Sequence, residues 1–292
     1  MRCACLVDTT RCIGCRSCQV ACKQSNRLDA EKTRFSASPG GYQNPRGFSP
    51  RTFTYISFHE LEDAAGGPAW VFLKHQCMHC TDLYCATVCG ADVFHKTETG
   101  VVTYDADKCM GCAACMEVCP FHVPAIDYWD LPTPYLRKCG FCLQRQQSKI
   151  EAPQIDGKPL EGEALRRYER SVHTPACAKA CPSGAIQFGP RDRLIEEARR
   201  RIAAAPDRYV NHIYGLTEAG GTGWLYLASV PFEKLGLPTK FASPEEAGSM
   251  KRMGSTRPRR HPLAWLSAGL STLAAGFVWL AKRRDRVRGT DP

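Results

Sequence analysis

Sixteen of the chain's eighteen cysteines fall into four groups of four, and any fold must bring those thiols together. The first group is Cys12, Cys15, Cys18 and Cys22, a C-x2-C-x2-C-x3-C run. The second, Cys77, Cys80, Cys85 and Cys89, widens the middle gap to four residues. The third is Cys109, Cys112, Cys115 and Cys119, followed by Pro120, which is the spacing of the bacterial ferredoxin run. The fourth is split: Cys139 and Cys142, then thirty-four residues, then Cys177 and Cys181 followed by Pro182. Four complete sets of four thiolates imply four [4Fe–4S] clusters, with iron as the metal.

A cubane cluster needs four sulfurs converging from different directions. Gaps of two residues wrap three of them around one centre, and the fourth cysteine of the run reaches the other cluster of a pair. This rule pairs Cys12, Cys15 and Cys18 with Cys181, and Cys22 with Cys139, Cys142 and Cys177. It also pairs Cys77, Cys80 and Cys85 with Cys119, and Cys89 with Cys109, Cys112 and Cys115. The first and last motifs then form one dicluster module and the middle two form another, inserted within it. The expected fold is α+β: two ferredoxin-like dicluster modules, one nested in the other, with loop-rich insertions. Gly14, Gly111 and Gly140 lie inside C-x2-C loops, where backbone is expected to approach a cluster and donate hydrogen bonds to it.

Zinc ribbons use well-separated C-x2-C pairs, which suits Cys139/Cys142 but not runs of three closely spaced cysteines. Disulfide frameworks belong to small secreted chains, and this one has 292 residues. Cys3 and Cys5 stand outside the pattern and read as free thiols without an assigned role. His75, His79, His95, His122 and His173 lie near the motifs, but complete cysteine sets give them surface or packing roles. No group leaves an open iron position, which favours outer-sphere electron transfer over chemistry at iron; no catalytic residue is expected.

The formal charge of +10 is concentrated at the C-terminus. From Lys251 onward, ten Lys/Arg against two acids account for +8 of it. The body is therefore near neutral, which argues against nucleic acid as a partner. Pro262 to Ala281 is a twenty-residue stretch without charge, the length a bilayer core requires. Trp265 and Trp279 flank it as interfacial aromatics do. The expected element is one C-terminal transmembrane helix anchored in a lipid bilayer. Ala264, Ser267, Ala268, Ser271, Thr272, Ala275 and Gly276 make one helix face small, and Leu263, Leu266, Leu270, Leu273, Phe277 and Leu280 make the other bulky. Small faces let helices approach closely, so an integral-membrane partner is expected there. Five basic residues on each side leave orientation undecided. Met1 to Cys22 shows neither an apolar signal core nor a twin-arginine pair, so the body either stays cytoplasmic or is exported folded beside a partner carrying the signal.

Four regions follow: a cluster-bearing body over 1–189, an extension and linker over 190–254, the anchor over 262–281 and a basic tail over 282–292. Within the body, Thr52–Phe58, Trp70–Lys74, Val101–Tyr104 and Ala185–Phe188 read as strands. Leu143 to Ala176 is polar enough to be a surface excursion. Arg191–Ala205 reads as an amphipathic helix with Leu194, Ile195, Ala198 and Ile202 on one side. Gly220-Gly221-Thr222-Gly223 reads as a turn before the strand candidate Trp224–Val230, because no Gly-Lys-Ser/Thr follows it. Pro231 to Gly254 reads as a linker.

The ordered set resembles the four-cluster iron–sulfur subunits of membrane-bound bacterial oxidoreductases, of the hydrogenase-2 electron-transfer and formate dehydrogenase beta types. The resemblance lies in Asp8–Cys22 (DTTRCIGCRSCQVAC), Lys74–Cys80 (KHQCMHC), Gly100–Pro124, Pro175–Gly189 (PACAKACPSGAIQFG) and Gly220–Pro238. It implies a non-catalytic relay between a catalytic oxidoreductase subunit and an integral membrane cytochrome b or quinone-reducing subunit, at the cytoplasmic membrane with the body on the periplasmic side. The missing twin-arginine pair leans the resemblance toward the formate dehydrogenase arrangement. Two alternatives stay open: a free-standing membrane-anchored polyferredoxin, and a relay running from quinol to a reductase.

Overall fold

The computed structural model describes residues 2–33, 43–62, 66–128, 134–148, 154–155, 158–159, 161–247 and 276–279. Among the described residues there are eleven short strands: β1 (Cys3–Asp8), β2 (Tyr55–Glu62), β3 (Pro68–His75), β4 (Phe94–Lys96), β5 (Val102–Tyr104), β6 (Ala125–Asp127), β7 (Tyr135–Arg137), β8 (Gln154–Ile155), β9 (Lys158–Pro159), β10 (Ile186–Pro190) and β11 (Trp224–Leu227). The helices are α1 (Ser17–Ser25), α2 (Tyr84–Thr87), α3 (Ala114–Val118), α4 (Leu143–Gln147), α5 (Gly162–His173), α6 (Ala176–Lys179) and α7 (Arg191–Ala204). Short elements suit a chain that must turn its cysteines back toward a common centre every few residues.

β1 organises the body. Its sequence, CACLVD, is apolar without alternation, as expected of a strand covered on both faces. It lies between β10, antiparallel, and β11, parallel, with Cys5 opposite both Phe188 and Trp224. Side chains alternate across a strand. Cys5 and Val7 therefore face Trp224, Tyr226 and the cysteines Cys18 and Cys177, while Ala4 and Leu6 face Leu194, Ile195 and Ala198 of α7. The sheet thus separates the thiol-bearing core from a helix that covers its back.

α7 ends one residue short of the expected Ala205 and buries the expected Leu194, Ile195 and Ala198. Its last turn carries Arg201, whose guanidinium lies 3.0 Å from the fully buried Asp8 carboxylate. Tyr209 also donates to that carboxylate, at 2.9 Å. β2 and β3 form a hairpin longer than the expected Thr52–Phe58 and Trp70–Lys74. The hairpins β4–β5 and β6–β7 enclose a second core of Val93, Phe94, Val102, Cys115, Ile126 and Leu136. The excursion after Leu143 carries α4, α5 and the small β8–β9 ladder.

The expected linker from Pro231 begins inside the core. Phe232 and Leu235 are 1% and 0% exposed and pack with Tyr214, Trp224 and Tyr226, because their apolar bulk covers the open side of the sheet. The expected membrane span lies outside the described residues except for Gly276–Trp279. Among the described residues no helix is long and apolar enough to cross a membrane.

Candidate iron–sulfur centres

The first and third cysteine runs fold alike because they share an Asp-x3-Cys-x-Gly-Cys pattern. Asp8 caps a 3-10 turn over Thr9–Arg11 by accepting the Thr10 N–H at 3.1 Å, and Asp105 does the same over Ala106–Lys108 with the Asp107 N–H at 3.2 Å. The chain then reverses through two left-handed residues, Gly14 and Arg16 (φ +65° and +61°) in one run, Gly111 and Ala113 (φ +73° and +61°) in the other. A Cβ at Gly14 would stand 3.0 Å from the Phe72 ring, and one at Gly111 would stand 2.6 Å from Pro134. α1 and α3 start immediately afterwards and carry the chain away toward Cys22 and Cys119.

In the fourth motif the left-handed positions are Phe141 and Cys142 (φ +57° and +52°). The strain is held by Phe141, whose ring is buried between His79, Phe188 and Trp224. Backbone N–H groups point at sulfur as expected of cluster loops: Phe141 N–H to Cys139 Sγ and Gly111 N–H to Cys109 Sγ, both 3.4 Å.

Three cavities are each lined by four of the cysteines. Cys89, Cys109, Cys112 and Cys115 line one. Cys77, Cys80, Cys85 and Cys119 line another. Cys22, Cys139, Cys142 and Cys177 line the third. The remaining set is also together, with Cys12 within electrostatic reach of Cys181 and Cys15, and Cys18 within reach of Cys12 and Cys15. The sets form a series. Cys18 neighbours Cys177, Cys139 neighbours Cys77, and Cys85 neighbours Cys115. Cys15 at one end and Cys112 at the other are solvent-exposed.

Burial pushes the thiols of Cys18, Cys22, Cys85 and Cys115 up to about 12, and Cys119 up to about 11. Facing thiols add to the shift; Cys109, Cys112 and Cys89 do so at Cys115. Four thiols in one such cavity resist ionising together unless a cation compensates them. A single tetrahedral zinc, with Zn–S of about 2.3 Å, would draw its sulfurs to about 4 Å from one another. Among the described residues no group of three or more His, Cys, Asp or Glu converges on a single ion. Cavities ringed by four thiols fit a larger, polynuclear group. An orphaned donor supports the fit: Trp224 lines the Cys22/Cys139/Cys142/Cys177 cavity, and its Nε1–H is buried without a partner.

Two lysines escape a reading of motifs. Lys74 is buried and lines that same cavity, its Nζ 2.8 Å from both Thr54 Oγ1 and Gln76 Oε1 and 4.3 Å from the Trp224 ring centre. Burial opposes its charge, but the thiols of Cys177 and Cys18 outweigh this and the net shift is upward. Lys138, also buried, lines the Cys77/Cys80/Cys85/Cys119 cavity and donates to Val102 O at 2.6 Å and Cys139 O at 3.2 Å. Only their positions beside Cys77 and Cys139 could have drawn attention to them, since lysine ordinarily reads as surface.

The histidines take packing or surface places. His79 is buried, accepts the Val102 N–H at 2.9 Å on Nδ1 and is held neutral by burial. His75 shares the Ser57 hydroxyl with His59, while His95 and His122 are exposed and His173 partly so. Cys5 is fully buried beside Cys177 and Lys74, packing as a small apolar residue in β1. The Gly220–Gly223 turn clamps the second motif: Thr81 N–H donates to Gly221 O at 2.7 Å, and Gly223 N–H to Met78 O at 2.9 Å.

Cavities ringed by thiols on short ferredoxin-like hairpins define an iron–sulfur protein. Residues 11–93 and 68–159 each match a model described as a 4Fe-4S dicluster domain. A protein of Nitratidesulfovibrio vulgaris is 38% identical over 249 residues, covering 84% of this chain and 60% of that relative. The hydrogenase-2 operon protein HybA of Escherichia coli O157:H7 is 31% identical, over 80% of this chain and 72% of its own length. The iron-sulfur subunit of the nitrate-inducible formate dehydrogenase of Escherichia coli K12 is 32% identical, over 76% and 66%. The chain belongs to the family of iron–sulfur subunits that contains HybA and the formate dehydrogenase iron–sulfur subunits.

Proposed function

We propose that the chain is a non-catalytic electron-transfer subunit that relays electrons through four [4Fe–4S] clusters, one in each cysteine set. The observation that carries this is the series itself: four thiol sets, adjacent in order, with an exposed cysteine at each end. The clusters supply one-electron chemistry when bound. The protein holds them in sequence, places a buried lysine beside each of the inner two and leaves the outer two open to partners. Ile13 and Met110, 61% and 72% exposed, collar the two ends with apolar surface of the kind protein partners cover.

The relatives' names point to a catalytic subunit of formate dehydrogenase or hydrogenase type at one end. The uncharged stretch 262–281 and its small-residue face point to a membrane cytochrome b or quinone subunit at the other. A body on the periplasmic side is supported by the family resemblance, not by this stretch. The test is purification from cells with the complex intact. Four clusters require about sixteen iron atoms per chain, with matching acid-labile sulfide; markedly fewer would sink the reading. Co-purifying molybdenum, tungsten or nickel identifies the catalytic partner. Bulky substitutions at Ala268 or Thr272 should release the membrane partner with iron content unchanged, and undisturbed co-purification would count against the docking face.

A further inference from the structure

Lys74 has chemistry that a relay can use. Its ammonium is buried at 2% exposure, on the wall of the cavity ringed by Cys22, Cys139, Cys142 and Cys177. Its hydrogen-bond partners are neutral, Thr54 Oγ1 and Gln76 Oε1, the Trp224 ring face lies against it, and the thiols of Cys177 and of Cys18 from the adjoining set are within electrostatic reach. Among the described residues no carboxylate lies within ion-pair distance of it, and none lines the cavity. A buried cation without an anion is held at a cost in desolvation. An anionic cluster–thiolate unit in that cavity offsets the cost, and offsets more of it after accepting an electron.

We propose that Lys74 is the fixed positive charge that sets the reduction potential of the Cys22/Cys139/Cys142/Cys177 cluster, holding it above the value that cluster would have without the ammonium. This rests on the four-cluster reading above. Reduction adds one electron and one negative charge to the cluster, no proton need move, and the reductant is the neighbouring cluster in the series. A cation held in a medium of low dielectric favours the more negative state, and cluster potentials respond to net local charge. Thr54 and Gln76 act as positioning residues, because they fix the ammonium against the cavity wall.

The test is an EPR-monitored redox titration of the full chain in its complex, with the signal assigned as the one lost in Cys142→Ser. Gln76→Glu changes one atom and places a carboxylate against the ammonium, cancelling its charge without removing the side chain. The expected result is a fall in that cluster's midpoint of at least tenfold in the one-electron equilibrium, 59 mV, with iron content unchanged. Lys74→Met should lower it in the same sense, and Lys74→Arg should leave it near the original. Full iron loading with an unmoved midpoint in Gln76→Glu overturns the inference. Loss of the cluster in Lys74→Met combined with that unmoved midpoint assigns Lys74 to packing, which overturns it equally. Iron well below sixteen atoms in the unmodified chain instead fails the four-cluster reading, so the two failures are distinguishable.

Discussion

Asp8 shows how much a single side chain in this protein can be asked to hold. Its carboxylate caps the turn into the first cysteine run, accepts from Tyr209 and faces Arg201, all without exposure to water. Arg201→Met would leave that carboxylate buried with only neutral donors, and a loss of about 3 kcal/mol is expected. Chemical denaturation followed by cluster absorbance reads it. Glu31 gives a pH dependence. Burial opposes its charged form, but hydrogen bonds from Ser49 at 2.6 Å, from Thr52 and from Lys23 at 3.3 Å outweigh this, so its pKa falls below the ordinary 4.5. A carboxylate depressed in the folded state contributes stability above its unfolded pKa and loses it as pH falls through the folded value. Acid should therefore release the tether between residues 23–31 and 49–52, seen as faster proteolytic cleavage there below the ordinary 4.5. Glu31→Gln should flatten that dependence.

Among the elements, the legible ones were those with a strong local pattern. α7 follows its apolar stripe to within one residue, and the strands β3 and β5 fall where branched and aromatic residues cluster. β1 was not legible as a strand, because Cys3 and Cys5 read only as free thiols outside the cluster pattern, although Cys5 is plain core. The stretch from Pro231 read as linker because Pro and Gly punctuate it, yet Phe232 and Leu235 are core residues, a fact that depends on where β11 lies. Ala198, fully buried between α7 and β1, tests the packing of the covering helix. Ala198→Leu should cost about 1–3 kcal/mol through overpacking, measured as a lower denaturation midpoint. A neutral result would mean that α7 can lift from the sheet.

On the scale of the whole molecule, the fourth cysteine motif is completed only by chain closure. Cys139 and Cys142 meet Cys177 after α5, and Cys22 joins them from the far end of the sequence. Cys22→Ser should therefore abolish the signal of the cluster held by Cys139, Cys142 and Cys177, and leave about twelve iron atoms per chain. Loss confined to the set of Cys12, Cys15, Cys18 and Cys181 would contradict the pairing. The sequence by itself determined the ligand type and the turn shared by the first and third runs, because spacings of two and three residues limit where backbone can carry a thiol. It also determined the covering helix and the position of the uncharged C-terminal stretch. Only the tertiary structure decided the order of the four sets and the burial of Lys74 against Trp224. Those depend on strands 152 residues apart, Lys74 O accepting from the Tyr226 hydroxyl, and no local pattern encodes which lysine such packing will exclude from water.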